Sequence, residues 1–175
     1  MKRFVALLVA LLLAIAPAIA EFTPYDYHVM YTANGKYIVY DFPDIMLYLP
    51  IEWENAVTVE QTDNGVSFYQ TASLEKYQQE KNLPGGGFLF ELCASQDESF
   101  HVLPAYEYLG HSENVGLHFY LVMPSDYPAY PEDSIRAEYD EMAAAIKPVV
   151  VDMARISKSM HFYTDDIEET DAGMS

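Results

Sequence analysis

Glu91, His118 and Tyr120 are the residues whose types and spacing could do chemistry. Phe88-Leu89-Phe90-Glu91-Leu92-Cys93 reads as a strand with Phe88, Phe90 and Leu92 on one face and Leu89, Glu91 and Cys93 on the other. Gly116 to Met123 reads the same way, with Leu117, Phe119 and Leu121 opposite His118 and Tyr120. Were these strands neighbours, a carboxylate, an imidazole and a phenol would share one sheet face. Glu91 would then orient His118 and raise its pKa, the arrangement of a small hydrolase-like enzyme. Strand alternation alone also produces a half-exposed face of ordinary polar residues. The favoured reading is therefore a non-enzymatic binding face of Tyr69, Glu91, His118 and Tyr120, with no catalytic residue. Cys93 sits among apolar neighbours and reads as a small buried hydrophobe, not a reactive thiol.

The local signatures of catalysis and metal binding are missing. The sequence has no Gly-x-Ser-x-Gly, His-Glu-x-x-His, Cys-x-x-Cys or Gly-x-Gly-x-x-Gly. Its histidines, His28, His101, His111, His118 and His161, include no pair at i, i+4 on a helix or i, i+2 on a strand. A zinc site built from distant segments stays open, but no metal or cofactor is expected, and His101 and His111 read as exposed loop residues. Gly85-Gly86-Gly87 is followed by a strand and by no Lys-Ser/Thr, so it reads as a flexible strand entry and not a phosphate cradle. Calcium has no Asp-x-Asp-x-Asp-Gly loop to hold it.

The elements that would position these residues are mostly hairpins. Tyr25 to Tyr31 and Lys36 to Phe42 flank Asn34-Gly35, a strong hairpin signal. Ile45 to Leu49 forms a further strand closed by Pro50. Val57 to Glu60 and Val66 to Tyr69 form a second hairpin around Asp63-Asn64-Gly65. The polar segment 72–82 fits a short helix or a loop. Ala105 to Leu109 pairs with Gly116 to Met123 across a turn-rich stretch, and three prolines between Pro124 and Pro131 make a linker.

The clearest periodicity follows. Ile135, Tyr139, Met142, Ile146, Val149, Met153, Ile156 and Met160 alternate spacings of four and three, one stripe of a helix. Pro148 removes one backbone donor and predicts a kink or two successive helices. The expected fold class is α+β: an antiparallel sheet of hairpins packed against this long C-terminal amphipathic helix, with a second short helix around 72–82.

Lys2-Arg3, the apolar run Phe4 to Ile15, and Ala18-Ile19-Ala20 after Pro17 form a signal-peptide pattern with cleavage after Ala20. No cysteine at the exit accepts a lipid anchor. The expected product is secreted or extracytoplasmic, not membrane-spanning, and monomeric. Its organisation reads as a signal peptide (1–20), one α+β domain (21–163) whose residues 21–42 form a Tyr-rich hairpin extension, and an acidic tail (164–175). The net charge of −18 becomes −20 once Lys2 and Arg3 leave. Such a field repels nucleic acid and anionic lipid, so a partner is expected to be a neutral or basic protein or cell-envelope component. The 15 tyrosines supply contact area with a polar tip, suited to carbohydrate or protein recognition.

Leu49-Pro50-Ile51-Glu52-Trp53, the hairpin ending Asn64-Gly65-Val66-Ser67-Phe68-Tyr69, Gly86-Gly87-Phe88-Leu89-Phe90 and a final helix together resemble small secreted domains of Gram-positive gut bacteria. The order is also similar to the PsbP-like α/β/α sandwich, over roughly Phe42 to Met160. The resemblance implies an antiparallel sheet flanked by an early Leu-Pro-x-x-Trp segment and a C-terminal helix, serving as a binding or accessory module. It transfers no catalytic residue.

Overall fold

The computed structural model describes residues 26–32, 35–63, 65–81 and 86–156 of the 175. The expected signal peptide, the Asn34 turn position and the acidic tail lie outside them. The first sheet grows from consecutive hairpins. Strand β1 (Asp26–Thr32) pairs antiparallel with β2 (Gly35–Phe42), Thr32 facing Gly35. Strand β3 (Ile45–Pro50) returns through Pro43-Asp44, where Pro43 presets one turn dihedral and Asp44 takes a φ of 62°. Pro50 ends β3, and a 3₁₀ turn at Ile51–Trp53 buries the Trp53 ring.

The second sheet holds the remaining hairpins. Strand β4 (Val57–Gln61) pairs with β5 (Gly65–Gln70), and helix α1 (Thr71–Lys81) leads to β6 (Phe88–Ser95) beside β5. Strand β7 (Tyr106–Ser112) takes the sheet edge, and β8 (Leu117–Val122) fits between it and β6, giving the order β4-β5-β6-β8-β7. Helix α2 (Asp133–Ala145) continues as a π-helix over Ile146–Val151. Strand β9 (Arg155–Ile156) then pairs with β3, so the first sheet is ordered β1-β2-β3-β9.

The two sheets pack on each other. Ile38, Phe42, Ile45, Leu47 and Leu49 of the first meet Val66, Phe68, Phe90, Leu92, Phe119 and Leu121 of the second in one buried cluster. Phe68 stacks on Phe90 at 4.5 Å between centroids, and Tyr40 sets its edge on Phe68 at 5.5 Å. Aromatic pairs of this kind add about 1 kcal/mol each beyond their burial.

This architecture corrects the expected fold class. The chain is mostly β, with nine strands in two antiparallel sheets among the described residues, and not one sheet covered by a long C-terminal helix. Two physical reasons account for the difference. Residues 26–42 are no extension: β2 joins β3, whose apolar face needs cover and finds it on the second sheet. The helical stripe also ends before Ile156, and Met160 lies outside the described residues. Pro148 has no N–H to continue an α-helical ladder, and the backbone widens into the π segment. The extra residue shifts the stripe, so Val150 is buried where Val149 was expected, and by Ile156 the chain is already a strand. The single sheet implied by the PsbP-like resemblance is replaced by the same two-sheet packing.

A buried polar node ties the layers together. Gln70, at the end of β5, is 0% exposed; its Nε2 donates to the Ile135 carbonyl at 2.9 Å and to Glu138 Oε2 at 2.6 Å. Ser73 Oγ donates to Gln70 Oε1 at 2.5 Å and accepts from the Tyr130 N–H at 2.9 Å. The Gln70 N–H donates to the Gly87 carbonyl, and the Gly87 N–H donates to that of Pro128, both at 2.8 Å. Here the glycine run finds its reason. Gly87 has a φ of 77°, and a Cβ there would sit 2.7 Å from the Gln70 carbonyl oxygen; one on Gly86 would meet the Tyr77 ring at 2.1 Å. Gly86 and Gly87 are a packing device that brings β6 against α1, and Gly85 lies outside the described residues.

Two substitutions should move stability in opposite directions. Gln70→Ala takes the acceptor from the Ser73 hydroxyl and the donor from the Glu138 carboxylate and opens a void, and is expected to cost about 3 kcal/mol in urea unfolding. Exposed Gln79→Ala should cost almost nothing. Ser112 Oγ is buried without a hydrogen-bond partner among the described residues. Ser112→Ala removes that desolvated hydroxyl and is expected to stabilise by about 1 kcal/mol.

Candidate functional site

The outer face of the second sheet carries the polar strand residues. Registers fix what meets what: Cys93 faces Tyr120, Ser95 faces His118 and Glu91 faces Val122 on the β6–β8 pair. On the β8–β7 pair Tyr120 faces Tyr108, Val122 faces Tyr106 and His118 faces His111. A bulge between Tyr108 and Gly110 absorbs Leu109 and lets pairing run on to Ser112. His111 therefore lies on a strand and not in the loop expected for it.

The residues singled out from sequence are only partly brought together. Glu91 and His118 lie on neighbouring strands, but their register positions are offset by four residues, about 13 Å along the strand. Glu91 instead accepts a short hydrogen bond from Thr62 Oγ1. Tyr69 is on β5, separated from β8 by β6, and its ring packs 5.6 Å from Phe88. Tyr120 does meet Cys93, directly opposite it on the β6–β8 pair. The acid–base pair of the hydrolase reading is not formed by this geometry.

What assembles around His118 is an aromatic shelf that the strand pattern alone did not reveal. A 3₁₀ turn at Ser99–Val102 lays Phe100 over the sheet face. Phe100 stacks on Tyr120 at 4.6 Å and 20° and on Tyr108 at 5.3 Å and 10°, with its edge toward Tyr106. Tyr108 Oη and His118 Nδ1 are hydrogen-bonded at 3.0 Å, and Tyr106 Oη and His101 Nδ1 at 2.6 Å. Phe100 is buried, yet Tyr108 remains 44% exposed and Val102 86%. Phe100 and His101 follow a stretch of small and acidic residues, Ala94 to Ser99, and only their position over β7 and β8 marks them. A hairpin count across residues 113–116 was the one available signal for the His111–His118 pairing.

The charges nearby are carboxylates. Hydrogen bonds from the side chain and backbone N–H of Ser99, then from Ser95, hold the Asp97 carboxyl below its usual range. Glu98 lies 3.7 Å from His101 Nε2. Burial first, and then the Glu98 charge, push the Tyr108 phenol up. Burial, then Glu91, push the Cys93 thiol up to about 12, and burial, with Cys93 and Glu91 adding, pushes Tyr120 up to about 12. Both groups are protonated at neutral pH. Among the described residues no three His, Cys, Asp or Glu side chains cluster to hold a metal, and no helix is long and apolar enough to cross a membrane. A cavity of 290 Å³ lined by Trp53, Met142, Glu138 and Glu141 opens elsewhere and includes none of the residues expected from sequence.

The raised values fix a pH window. Cys93 and Tyr120 hold their protons more tightly folded than unfolded, so their contribution is fully present below about pH 9, the unfolded thiol value, and is lost as pH rises toward about 12. Tyr120→Phe should flatten the fall in melting temperature between pH 10 and 12. Iodoacetamide at pH 8 should modify native Cys93 at least ~1000-fold more slowly than a free thiol, and at the ordinary rate in urea. No protein-family model matches the chain, and no curated protein or solved structure is significantly similar to it.

Proposed function

We propose that the protein is an exported, non-enzymatic binding or accessory module that recognises a neutral or basic protein or cell-envelope component through the shelf on β7, β8 and the Ser99–Val102 turn. The observation that carries this reading is the stacking of Tyr108 and Tyr120 on a buried Phe100. The stack fixes the Tyr108 ring, which stays 44% exposed, so binding orders few rotamers and desolvates apolar area. Asp97 and Glu98 border it, and no described lysine or arginine forms an ion pair with either. An arginine or lysine presented by a partner gains the exposed Tyr108 ring and carboxylates there. The hydrolase alternative loses support because Glu91 turns to Thr62 and leaves His118 to the tyrosine.

Binding of the purified chain to isolated cell envelopes and culture proteins of the producing cells, followed at 50 and 300 mM salt, tests the proposal. Wild type should bind, less tightly at the higher salt. Val102→Lys should weaken binding about tenfold with an unchanged melting temperature, since Val102 is 86% exposed and a cation there repels a basic partner. Binding that is indifferent to both Val102→Lys and Tyr108→Ala would place the contact on another surface and overturn the assignment.

A further inference from the structure

We propose that His111 and His118 form a two-imidazole site for a borderline divalent transition ion, with Cu2+ and Ni2+ preferred to Zn2+. The two residues are directly opposed on β7 and β8, and their ring centroids lie 4.6 Å apart at 46°. The spacing is informative. A metal about 2.0 Å from each ring nitrogen lies roughly 3.2 Å from each ring centre, so two cis imidazoles at a right angle have centroids about 4.5 Å apart. A tetrahedral angle would need about 5.2 Å. The observed separation matches the cis pair of a tetragonal site, the preference of Cu2+ and Ni2+, and imidazole is a favoured donor for both. Water fills the remaining positions of a site with two protein ligands.

The orientation of His118 adds to the argument. Its Nδ1 is engaged by the Tyr108 hydroxyl at 3.0 Å, which leaves Nε2 as the donor. Ligating histidines are held in this way, through a hydrogen bond from the nitrogen that does not bind metal. The His111 ring is exposed and has no hydrogen bond among the described residues, so binding displaces no partner. Asp97 acts electrostatically on His118 and Glu98 on Tyr108, and the chain carries a net −18, so the local and overall fields both favour a cation. Because an imidazole ligates only unprotonated, occupancy falls as the medium is acidified. The inference does not depend on the shelf's binding to a protein or envelope partner.

Calorimetric titration of the purified chain with Cu2+, Ni2+ and Zn2+, together with pulsed electron paramagnetic resonance of the Cu2+ form, tests the site. The expected result is one high-affinity Cu2+ per chain coupled to two imidazole nitrogens, with Ni2+ weaker and Zn2+ weaker still. His111→Asn and His118→Asn should each cut Cu2+ affinity at least tenfold, and His28→Asn should leave it unchanged. Tyr108→Phe keeps both ligands and should lower affinity severalfold. Melting temperatures without metal, expected to be close to wild type for His111→Asn, separate ligand loss from unfolding. No Cu2+ binding below 1 mM, a spectrum with a single imidazole, or unchanged affinity in His111→Asn and His118→Asn would each overturn the proposal.

Discussion

The buried amide of Gln70 is the constraint on which the layers depend. A side chain with two donors and an acceptor, taken wholly out of water, must find partners in fixed directions. Its partners come from three separate parts of the chain: Ser73 at the start of α1, and Ile135 and Glu138 on α2, while its own N–H binds Gly87 at the head of β6. Satisfying all of them sets where α2 lies against the second sheet. Tyr139 Oη donating to the Phe88 carbonyl at 2.7 Å then fixes its rotation. From that position the π segment reaches β3, and β9 closes the first sheet. The apolar core would favour burial in many arrangements; the polar node selects one of them.

Much of the local structure was legible because it is set by neighbours in sequence. Hairpins at 26–42 and 57–70 follow from turn residues between alternating runs, and the three stripe residues of α2, Ile135, Tyr139 and Met142, follow from 3.6-residue periodicity. The sheet partners of those hairpins were not legible. Nothing in Ile45 to Leu49 says whether its apolar face meets a helix or another sheet, since either buries the same area. Pro148 was legible as an interruption but not as a widening: a kink and a π-turn both relieve the missing N–H, and only the packing of Val150 decides between them.

The candidate site divides in the same way. Alternation correctly places His118 and Tyr120 on one face and Leu117, Phe119 and Leu121 on the other. It says nothing about register, and register decides the chemistry, because a four-residue offset separates Glu91 from His118. The same pairing brings together His111 and His118, seven apart in sequence, across the turn at 113–116. Gly116 at a φ of 67° closes that turn, and Asn114 anchors it to Asp44 of the β2–β3 turn at 3.2 Å. The rim of one sheet thus steadies the hairpin that carries the histidines of the other.

Tyr108 joins both features of this face. Its ring is half of the exposed shelf and its hydroxyl holds His118. The occupants argued for the two features are both cationic, and the carboxylates of Asp97 and Glu98 act on His118 and Tyr108 respectively. A divalent ion on His111 and His118 would weaken the attraction of the shelf for a basic segment and would pull on the same tyrosine. By linkage, a basic partner must then weaken the ion by the same factor. The arrangement of one tyrosine, two histidines and two carboxylates thus makes the two kinds of occupant antagonists on a surface that the fold itself holds rigid.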